Sequence, residues 1–198
     1  MKIIFIDHYD SFASLIAYHF RKAGANVTMY KSDASIETIE AASADMILLG
    51  PGPNGPAEAG NFLSIIGHFH KRTPIFGICL GFQALMHYFG AKVEVLSETI
   101  HGASSSIQHD GKTIFSGLPN PAQFSRYHSL GTYAVPAHFQ CSARALRIIM
   151  AARHEHLPIE GIQFHPESIL SMKNYAGEKL IGNVVRHYER YTSKNNTA

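Results

Sequence analysis

Short apolar runs alternate with longer amphipathic segments through the first half of the chain. The apolar runs have the length of strands and predict buried strands over Lys2–Ile6, Asn26–Tyr30, Met46–Leu49 and Pro74–Ile78. Between them, apolar residues at helical spacing predict helices from Asp10 or Ser11 to Gly24, and over Ser35–Ala41, Ala57–His70 and Leu80–Phe89. This order predicts an α/β fold, in which an open, mostly parallel sheet carries helices on both faces.

The second half of the chain has a different pattern. From Val93 to Phe164 the short segments are typical of strands and turns, so we expect antiparallel additions to the sheet. A last helix is predicted over roughly Asn174–Tyr191, and the polar tail, residues 192–198, is expected to fray. With neither a linker nor an internal repeat, residues 1–198 are predicted to form a single domain.

Composition narrows the classes of protein. The chain has 198 residues, 45% of them hydrophobic, which is enough for one core without disulfides. The formal net charge is +2, and the scattered Lys and Arg residues give no basic stripe, which argues against a nucleic-acid partner. No apolar stretch approaches the length of a membrane span, and the N-terminus shows no cleavable signal pattern. We therefore expect a cytoplasmic protein that does not bind membranes.

Histidine is frequent, with 13 residues, and raises the question of a metal site. The pairs His68/His70 and His154/His156 have a two-residue spacing that suits the face of a strand better than a helix. No His-Glu-x-x-His spacing occurs, and the two cysteines are isolated. We therefore expect no metal site and interpret these histidines as surface and loop residues.

The candidate nucleophile is Cys79, in the sequence Gly77-Ile78-Cys79-Leu80-Gly81. A reactive residue between a strand and a helix, with glycine two positions away on each side, is typical of a nucleophile elbow. The glycines allow strand and helix to approach closely, and the helix N-terminus favours a negative charge on the sulfur. The alternative is a buried structural cysteine, because free cysteine packs well in apolar cores.

A thiolate needs a base and a group that orients the base. His165 is the candidate base and Glu167 the carboxylate that fixes its tautomer, with Pro166 holding the backbone between them extended. An ordinary surface loop is the alternative. For the oxyanion formed during attack, the backbone N–H groups of Leu80 and of Gly52 in the Gly50–Pro53 loop are candidate donors. Without the elbow, this loop would be interpreted as a tight turn.

Several further motifs accompany these residues, in the order Tyr9-Asp10-Ser11-Phe12, Gly50–Pro53, Gly77–Leu85, His101-Gly102, Ile107, His109–Gly111, Arg126–Leu130, Ile149–His154 and Gly161–Leu170. Together they resemble the class I (triad) glutamine amidotransferases, and specifically the glutaminase components of anthranilate synthase and aminodeoxychorismate synthase. The resemblance runs from Asp7 to the final helix. It implies a flavodoxin-like sheet.

The resemblance also implies a reaction. Cys79, His165 and Glu167 would hydrolyse L-glutamine to glutamate, with Gly52 and Leu80 as the oxyanion hole. Gln83, Ser129 and Leu130 would hold the α-amino and α-carboxylate groups of glutamine. Ammonia would pass to a chorismate-using large subunit, either anthranilate synthase component I or aminodeoxychorismate synthase component I. No cofactor is expected on this chain, and the resemblance places Mg²⁺ in the partner.

Some positions depart from the usual family pattern, namely His8, Ala13-Ser14-Leu15, Asn54, Phe82 and Ala103. None is a triad residue, so they bear on partner choice and glutamine affinity. We take the anthranilate role as the first hypothesis and the aminodeoxychorismate role as second or shared. The rivals are a free-standing γ-glutamyl hydrolase and a non-catalytic subunit. His128 is the alternative base, and Cys141 has no base pattern near it.

Overall fold

In the computed structural model of the chain, residues 1–195 are described, with only the backbone given for residues 98–101, 174, 194 and 195. The strands are β1 Lys2–Asp7, β2 Asn26–Lys31, β3 Met46–Leu49, β4 Ile75–Ile78, β5 Glu94–His109, β6 Ala122–Gly131, β7 Phe139–Ala145, β8 Ile148–His154 and β9 Ile159–Ile162. The helices are α1 Ala13–Lys22, α2 Ile36–Ala41, α3 Phe62–Phe69, α4 Leu80–Tyr88, α5 Ile169–Met172 and α6 Ala176–Asn195. The described strands form one sheet in the order β2-β1-β3-β4-β9-β8-β7-β5-β6.

The first half of the sheet is parallel and covered on both faces, as predicted. Strand β1 pairs in parallel with β2 and β3, and β3 pairs in parallel with β4. Ile3 and Phe5 of β1 pack on one face in a core shared with α1 and α6, whereas Ile4 and Ile6 pack on the other face with α3 and α4. Because both faces are covered, β1, β3 and β4 are apolar without a polar alternation, whereas the edge strand β2 keeps exposed polar residues.

The second half supplies the predicted antiparallel strands, with one exception. Strands β8, β7, β5 and β6 pair antiparallel with their neighbours. Strand β9 pairs antiparallel with β8 but parallel with β4, so it extends the parallel half. Strand β5 is 16 residues long, and irregularities in its pairing with β6 bend it after Val95 and after His101.

The predicted helix over Ala57–His70 is wrong at its start. Residues Pro56–Glu58 form a single 3₁₀ turn, and α3 begins only at Phe62. Gly60 separates the two with a φ of +57°, and a Cβ there would lie 2.7 Å from Oγ of Ser32. The left-handed backbone of Gly60 and its contact with Ser32 break the helix. His68 is exposed, as interpreted from the sequence, but it lies in α3, so the two-residue spacing of His68/His70 does not mark a strand face.

The C-terminal region is helical over a longer span than predicted. A 3₁₀ turn, Lys173–Tyr175, precedes α6, which continues to Asn195. The predicted frayed tail therefore includes helical residues 192–195, and its last three residues lie outside the part of the chain that the structure describes. Among the described residues, no helix combines the length and apolar character needed to cross a membrane.

Candidate active site

Cys79 lies at the junction of β4 and α4, as the elbow pattern predicts. Its backbone has φ 53° and ψ −103°, a region that non-glycine residues rarely adopt. Its N–H donates to the carbonyl of Ile162 in β9 (2.8 Å), and its carbonyl accepts from the N–H of Gln83 (3.0 Å). These bonds hold the strained turn in place and fix Cys79 at the N-terminus of α4.

The two elbow glycines are required by close backbone contacts. A Cβ on Gly77 would lie 2.6 Å from the carbonyl carbon and oxygen of Gly81. A Cβ on Gly81 would lie 2.2 Å from the carbonyl oxygen of Leu49 at the end of β3. Both distances are far below van der Waals contact, and backbone atoms cannot move aside easily. The glycines therefore allow β3, β4 and α4 to meet directly beneath Cys79.

His165 and Glu167 follow β9 and form a buried pair. Nδ1 of His165 lies 2.6 Å from Oε1 of Glu167, and the two residues are 2% and 1% exposed. The carboxylate accepts the Nδ1 proton, which leaves Nε2 as the nitrogen able to exchange a proton with a nucleophile. Among the described residues Nε2 has no hydrogen-bond partner of good geometry. Cys79 nevertheless interacts with the same imidazole through its charge.

The charges around His165 favour its protonated form. Burial lowers the pKa of His165, but the negative charges of Glu167 and Cys79 and their hydrogen bonds outweigh burial and raise it well above 6.5. An imidazolium between a carboxylate and a sulfur is the arrangement that stabilises a thiolate. The geometry therefore suits a nucleophilic cysteine paired with an acid–base histidine.

The imidazole of His165 is held by its surroundings. The rings of Phe12 and Tyr127 lie 5.3 and 5.1 Å away between centroids. Ser171 donates its hydroxyl proton to the carbonyl of His165 and accepts from the N–H of Ser125. The N–H of His165 in turn donates to the carbonyl of Ser125 (3.0 Å). Packing and backbone bonds therefore leave the ring little freedom to turn.

The loop that carries Gly52 is fixed against the first turn of α4. The carbonyl of Gly50 accepts from the N–H of Gly81 (3.0 Å), next to Leu80 in the elbow. A Cβ on Gly52 would lie 2.6 Å from the carbonyl oxygen of His8, so this position must be glycine. The structure thus brings the Gly52 loop and Leu80 together, which is the arrangement expected of two oxyanion donors.

Gln83 and Leu130, predicted to bind glutamine, are joined by a hydrogen bond. Nε2 of Gln83 donates to the carbonyl of Leu130 (3.0 Å) and to Oε1 of Gln163 (3.1 Å). Its Oε1 is left to accept from a ligand such as an α-amino group. Ser129, the neighbour of Leu130 in β6, is exposed and accessible to a ligand. The three predicted pocket residues therefore lie in one connected region.

Comparison with known proteins agrees with this geometry. The family model described as glutamine amidotransferase class-I matches residues 4–181. The chain belongs to this family. The amidotransferase is 41% identical over 192 residues to aminodeoxychorismate/anthranilate synthase component 2 of Bacillus subtilis, covering 95% of this chain and 97% of that one.

Two other relatives are each named for only one of the two synthases. Anthranilate synthase component 2 of Haemophilus influenzae is 45% identical over 175 residues, covering 86% of this chain and 91% of its own. Aminodeoxychorismate synthase component 2 of Escherichia coli is 42% identical over 185 residues, covering 91% and 97%. A solved chain from Thermoplasma acidophilum, assigned to a GMP synthase, superposes with a TM-score of 0.87 over 99% of this chain and 98% of its own, at 23% identity. At that identity it supports the fold alone.

Gln163 belongs to the candidate site of the amidotransferase, although it was not predicted from the sequence. This residue is fully buried, and its Nε2 lies 3.7 Å from Sγ of Cys79, within hydrogen-bonding distance for sulfur. The signal was present, because an extended segment places Gln163 and His165 on the same side. Gln163 therefore connects the candidate nucleophile to Gln83 in the glutamine pocket.

The alternative base, His128, is unsuited to that role in the amidotransferase. Its Nε2 accepts from Nε of Arg126 (3.0 Å), and its Nδ1 donates to the carbonyl of Leu130 (2.8 Å). Burial, followed by the positive charge of Arg126, lowers the pKa of His128 to about 4. His128 is therefore neutral at pH 7 with both ring nitrogens engaged, and it holds Leu130 in place.

Four of the departures from the family pattern can be located in the structure. Asn54 has a φ of +64°, a left-handed conformation that asparagine tolerates better than most residues that could replace glycine. His8 packs against Gly52 and shares a hydrogen bond with Oγ of Ser32 (2.7 Å). Phe82 is a fully buried residue of α4, and Ala103 in β5 is exposed.

A group of two histidines and a glutamate lies where β7 begins and β8 ends. The ligand atoms of His138, Glu155 and His156 all lie within 4.8 Å of one another, and all three residues are exposed. In the part of the chain that the structure describes, these three residues form the group whose ligand atoms are close enough together to hold a metal ion. The absence of a metal in this amidotransferase stays a prediction.

Proposed function

We propose that the chain is the glutaminase component of a chorismate-using synthase. The observation that carries the proposal is the buried Cys79–His165–Glu167 arrangement at a strained elbow, in a chain whose relatives are components 2 of such synthases. Those relatives are named component 2, which implies a component 1 partner. For this chain, the proposed partner would use chorismate as the acceptor of ammonia.

In the proposed first half-reaction, the thiolate of Cys79 attacks the side-chain amide carbon of glutamine. The carbonyl oxygen becomes negative, and the N–H groups of Gly52 and Leu80 stabilise it. The protonated His165 then gives a proton from Nε2 to the amide nitrogen, and the carbon–nitrogen bond breaks to release ammonia. A glutamyl thioester remains on Cys79.

In the second half-reaction, water hydrolyses the thioester. His165, now neutral, takes a proton from water while the water oxygen bonds to the thioester carbon. The carbon–sulfur bond then breaks, glutamate leaves and the Cys79–His165 pair is restored. Throughout, Glu167 holds Nδ1 and stabilises the positive charge on the ring. These steps use no cofactor on this chain, and Mg²⁺ is assigned to the partner.

Substrate binding is assigned to Gln83, Ser129 and Leu130. Oε1 of Gln83 accepts from the α-amino group, and the backbone at Ser129 and Leu130 contacts the α-carboxylate. The carbonyl of Leu130 is held by two donors, Gln83 and His128, so this segment is rigid before glutamine arrives. A rigid segment lowers the entropy lost on binding.

The test mixes the purified chain with anthranilate synthase component 1 or aminodeoxychorismate synthase component 1 from the same source. Glutamine and chorismate are added near neutral pH, and anthranilate and aminodeoxychorismate are quantified. Product with one partner assigns the pathway, and product with both shows that the chain serves both synthases. If neither partner gives product while the chain alone hydrolyses a γ-glutamyl compound, the proposal fails.

A pair of cysteine variants makes this test specific. Cys79→Ala is expected to abolish the glutamine-dependent reaction and to leave the ammonia-dependent reaction of the partner intact. The matched control is Cys141→Ser in β7, where the half-buried thiol donates to the carbonyl of Ala143 and burial raises its pKa. Cys141→Ser is expected to keep the wild-type rate. Loss of both reactions in Cys79→Ala would instead indicate a structural cysteine.

A further inference from the structure

A cavity lies between α6 and the 3₁₀ turn Thr113–Phe115, away from the elbow that carries Cys79. Its volume is about 510 Å³, within the range of about 300–1,000 Å³ of small-molecule sites. The α6 side is lined by Asn183, Arg186, His187 and Arg190. The opposite side is lined by Thr113 and Ser116. Polar and basic side chains therefore form most of the wall.

The cavity carries uncompensated positive charge. Arg186, His187 and Arg190 lie within about one turn of α6, where residues three and four apart share a face. Among the described residues, none of the three forms an ion pair with a carboxylate. Burial, then the charges of Arg153 and Arg190, lowers the pKa of His187. The same positive field that disfavours a protonated His187 favours a bound anion.

A buried carboxylate that contacts Thr113 of this wall is already paired within the protein. Glu160 is 1% exposed and lies 3.0 Å from a guanidinium nitrogen of Arg153, and Thr113 donates its hydroxyl proton to it. The charge of Glu160 is therefore shared with Arg153 behind the cavity wall and leaves the α6 cations available to a ligand.

Hydrogen bonds organise the cavity before any ligand binds. Nδ2 of Asn183 donates to the carbonyls of Ile114 and Ser116, both at 2.9 Å, and fixes the 3₁₀ turn to the helix. Nη2 of Arg186 donates to Oδ1 of Asn183 (2.7 Å), which orients its guanidinium group. Thr113 has a φ of +44°, an unusual conformation for a β-branched residue. Such strain persists where the surrounding structure enforces it.

We propose that this cavity binds a small molecule with two or more anionic groups, either phosphates or carboxylates. Arginine recognises both through paired N–H donors, and two guanidinium groups one helical turn apart suit two such groups. The site is separate from the candidate active site. The start of α6 packs against Pro166, where a Cβ on Gly177 would meet the carbonyl, but Arg186 lies nine residues further, about 14 Å along the helix.

The experiment measures binding to the full chain with two probes, pyrophosphate and citrate, by calorimetry and by NMR of the His187 imidazole. Saturable binding of either probe is expected, and the responsive probe distinguishes phosphate from carboxylate ligands. A bound anion should also raise the pKa of His187. Arg190→Gln is expected to weaken binding about tenfold or more, as for loss of a charge-assisted hydrogen bond.

The matched control is Arg147→Gln, which removes the same charge from an exposed arginine in the turn between β7 and β8. Arg147→Gln should keep wild-type affinity, and thermal unfolding should show that both variants fold. Equal weakening in the two variants, or no saturable binding of either probe, would overturn the proposal. Because the readout needs neither glutamine nor a partner, its failure is distinguishable from failure of the proposed glutaminase function.

Discussion

Replacing Glu167 with glutamine removes a charge from the candidate active site and leaves the shape nearly unchanged. Glu167 is 1% exposed, and its Oε1 lies 2.6 Å from Nδ1 of His165. In Glu167→Gln the largest of the effects that raise the pKa of His165 is lost. Burial, which lowers that pKa, is then opposed mainly by Cys79, with a smaller contribution from the charge of Asp10. We expect the protonated form of His165 to become less populated, which weakens the positive charge that faces the sulfur of Cys79.

The size of the effect follows from the separation of the charges. Two unit charges about 4 Å apart interact by ~4 kcal/mol at an effective dielectric constant of about 20. A comparable loss in the transition state lowers the rate about 10³-fold. We therefore expect kcat with glutamine to fall about a thousandfold in Glu167→Gln.

The assay compares glutamine-dependent and ammonia-dependent product formation by the complex with its component 1 partner. Glu167→Gln should lower the first and leave the second unchanged. The control, Glu155→Gln, makes the same chemical change at an exposed residue of the turn after β8 and should match wild type. A folded Glu167→Gln protein that loses less than tenfold would refute the argument that this carboxylate sustains the charge on His165. Loss of both activities would indicate failed assembly.

Three further results are expected. The pKa of His128 is about 4 in the folded protein against 6.5 in the unfolded chain, so its neutral form stabilises the protein above pH 6.5. About 3 kcal/mol of that stability is lost as the pH falls through 4. Urea unfolding at pH 7 and at pH 4, with His128→Gln for comparison, measures this loss. Gln163→Leu replaces the amide near Cys79 with an apolar side chain of similar volume. We expect kcat/KM to fall about tenfold or more, as for one lost buried hydrogen bond. Wild-type kinetics in this variant would refute a positioning role for Gln163. Gly52→Ala displaces the oxyanion loop and should cost about 10²–10³ in kcat, whereas unchanged kcat in a folded variant would exclude Gly52 as a donor.

The elbow was predictable because its constraints are local in sequence. Glycines two residues before and after Cys79 are required by contacts at the junction of one strand with the helix that follows it, and the positive φ of Cys79 confirms that interpretation. The break in the predicted helix at Gly60 was not predictable in this way. Apolar spacing continues through it, and the contact that demands glycine comes from Ser32, which precedes Gly60 by 28 positions.

The position of β9 also lay beyond the sequence pattern. The second half was predicted to consist of strands and turns, and that is confirmed, but strand order depends on pairing between distant segments. Strand β9 returns to pair with β4, so that Ile78 lies opposite Ile162. Cys79 follows Ile78, and the segment from Gln163 to Glu167 follows Ile162. The pairing of β9 with β4 therefore brings the candidate nucleophile close to the segment that carries the candidate base. The pattern identified His165 and Glu167, but their approach to Cys79 results from the topology.

The same junction explains why glutamine binding and nucleophile positioning are connected. Gln83 comes from the parallel half, through α4, and Leu130 comes from the antiparallel half, through β6. One side chain bridges them, because Nε2 of Gln83 donates both to the carbonyl of Leu130 and to Gln163, which itself contacts Cys79. These hydrogen bonds link Leu130 to the sulfur, so a ligand that contacts Leu130 or Gln83 also affects how the sulfur is held. Gln163→Leu should accordingly affect kcat as well as KM, although Gln163 itself need not touch glutamine.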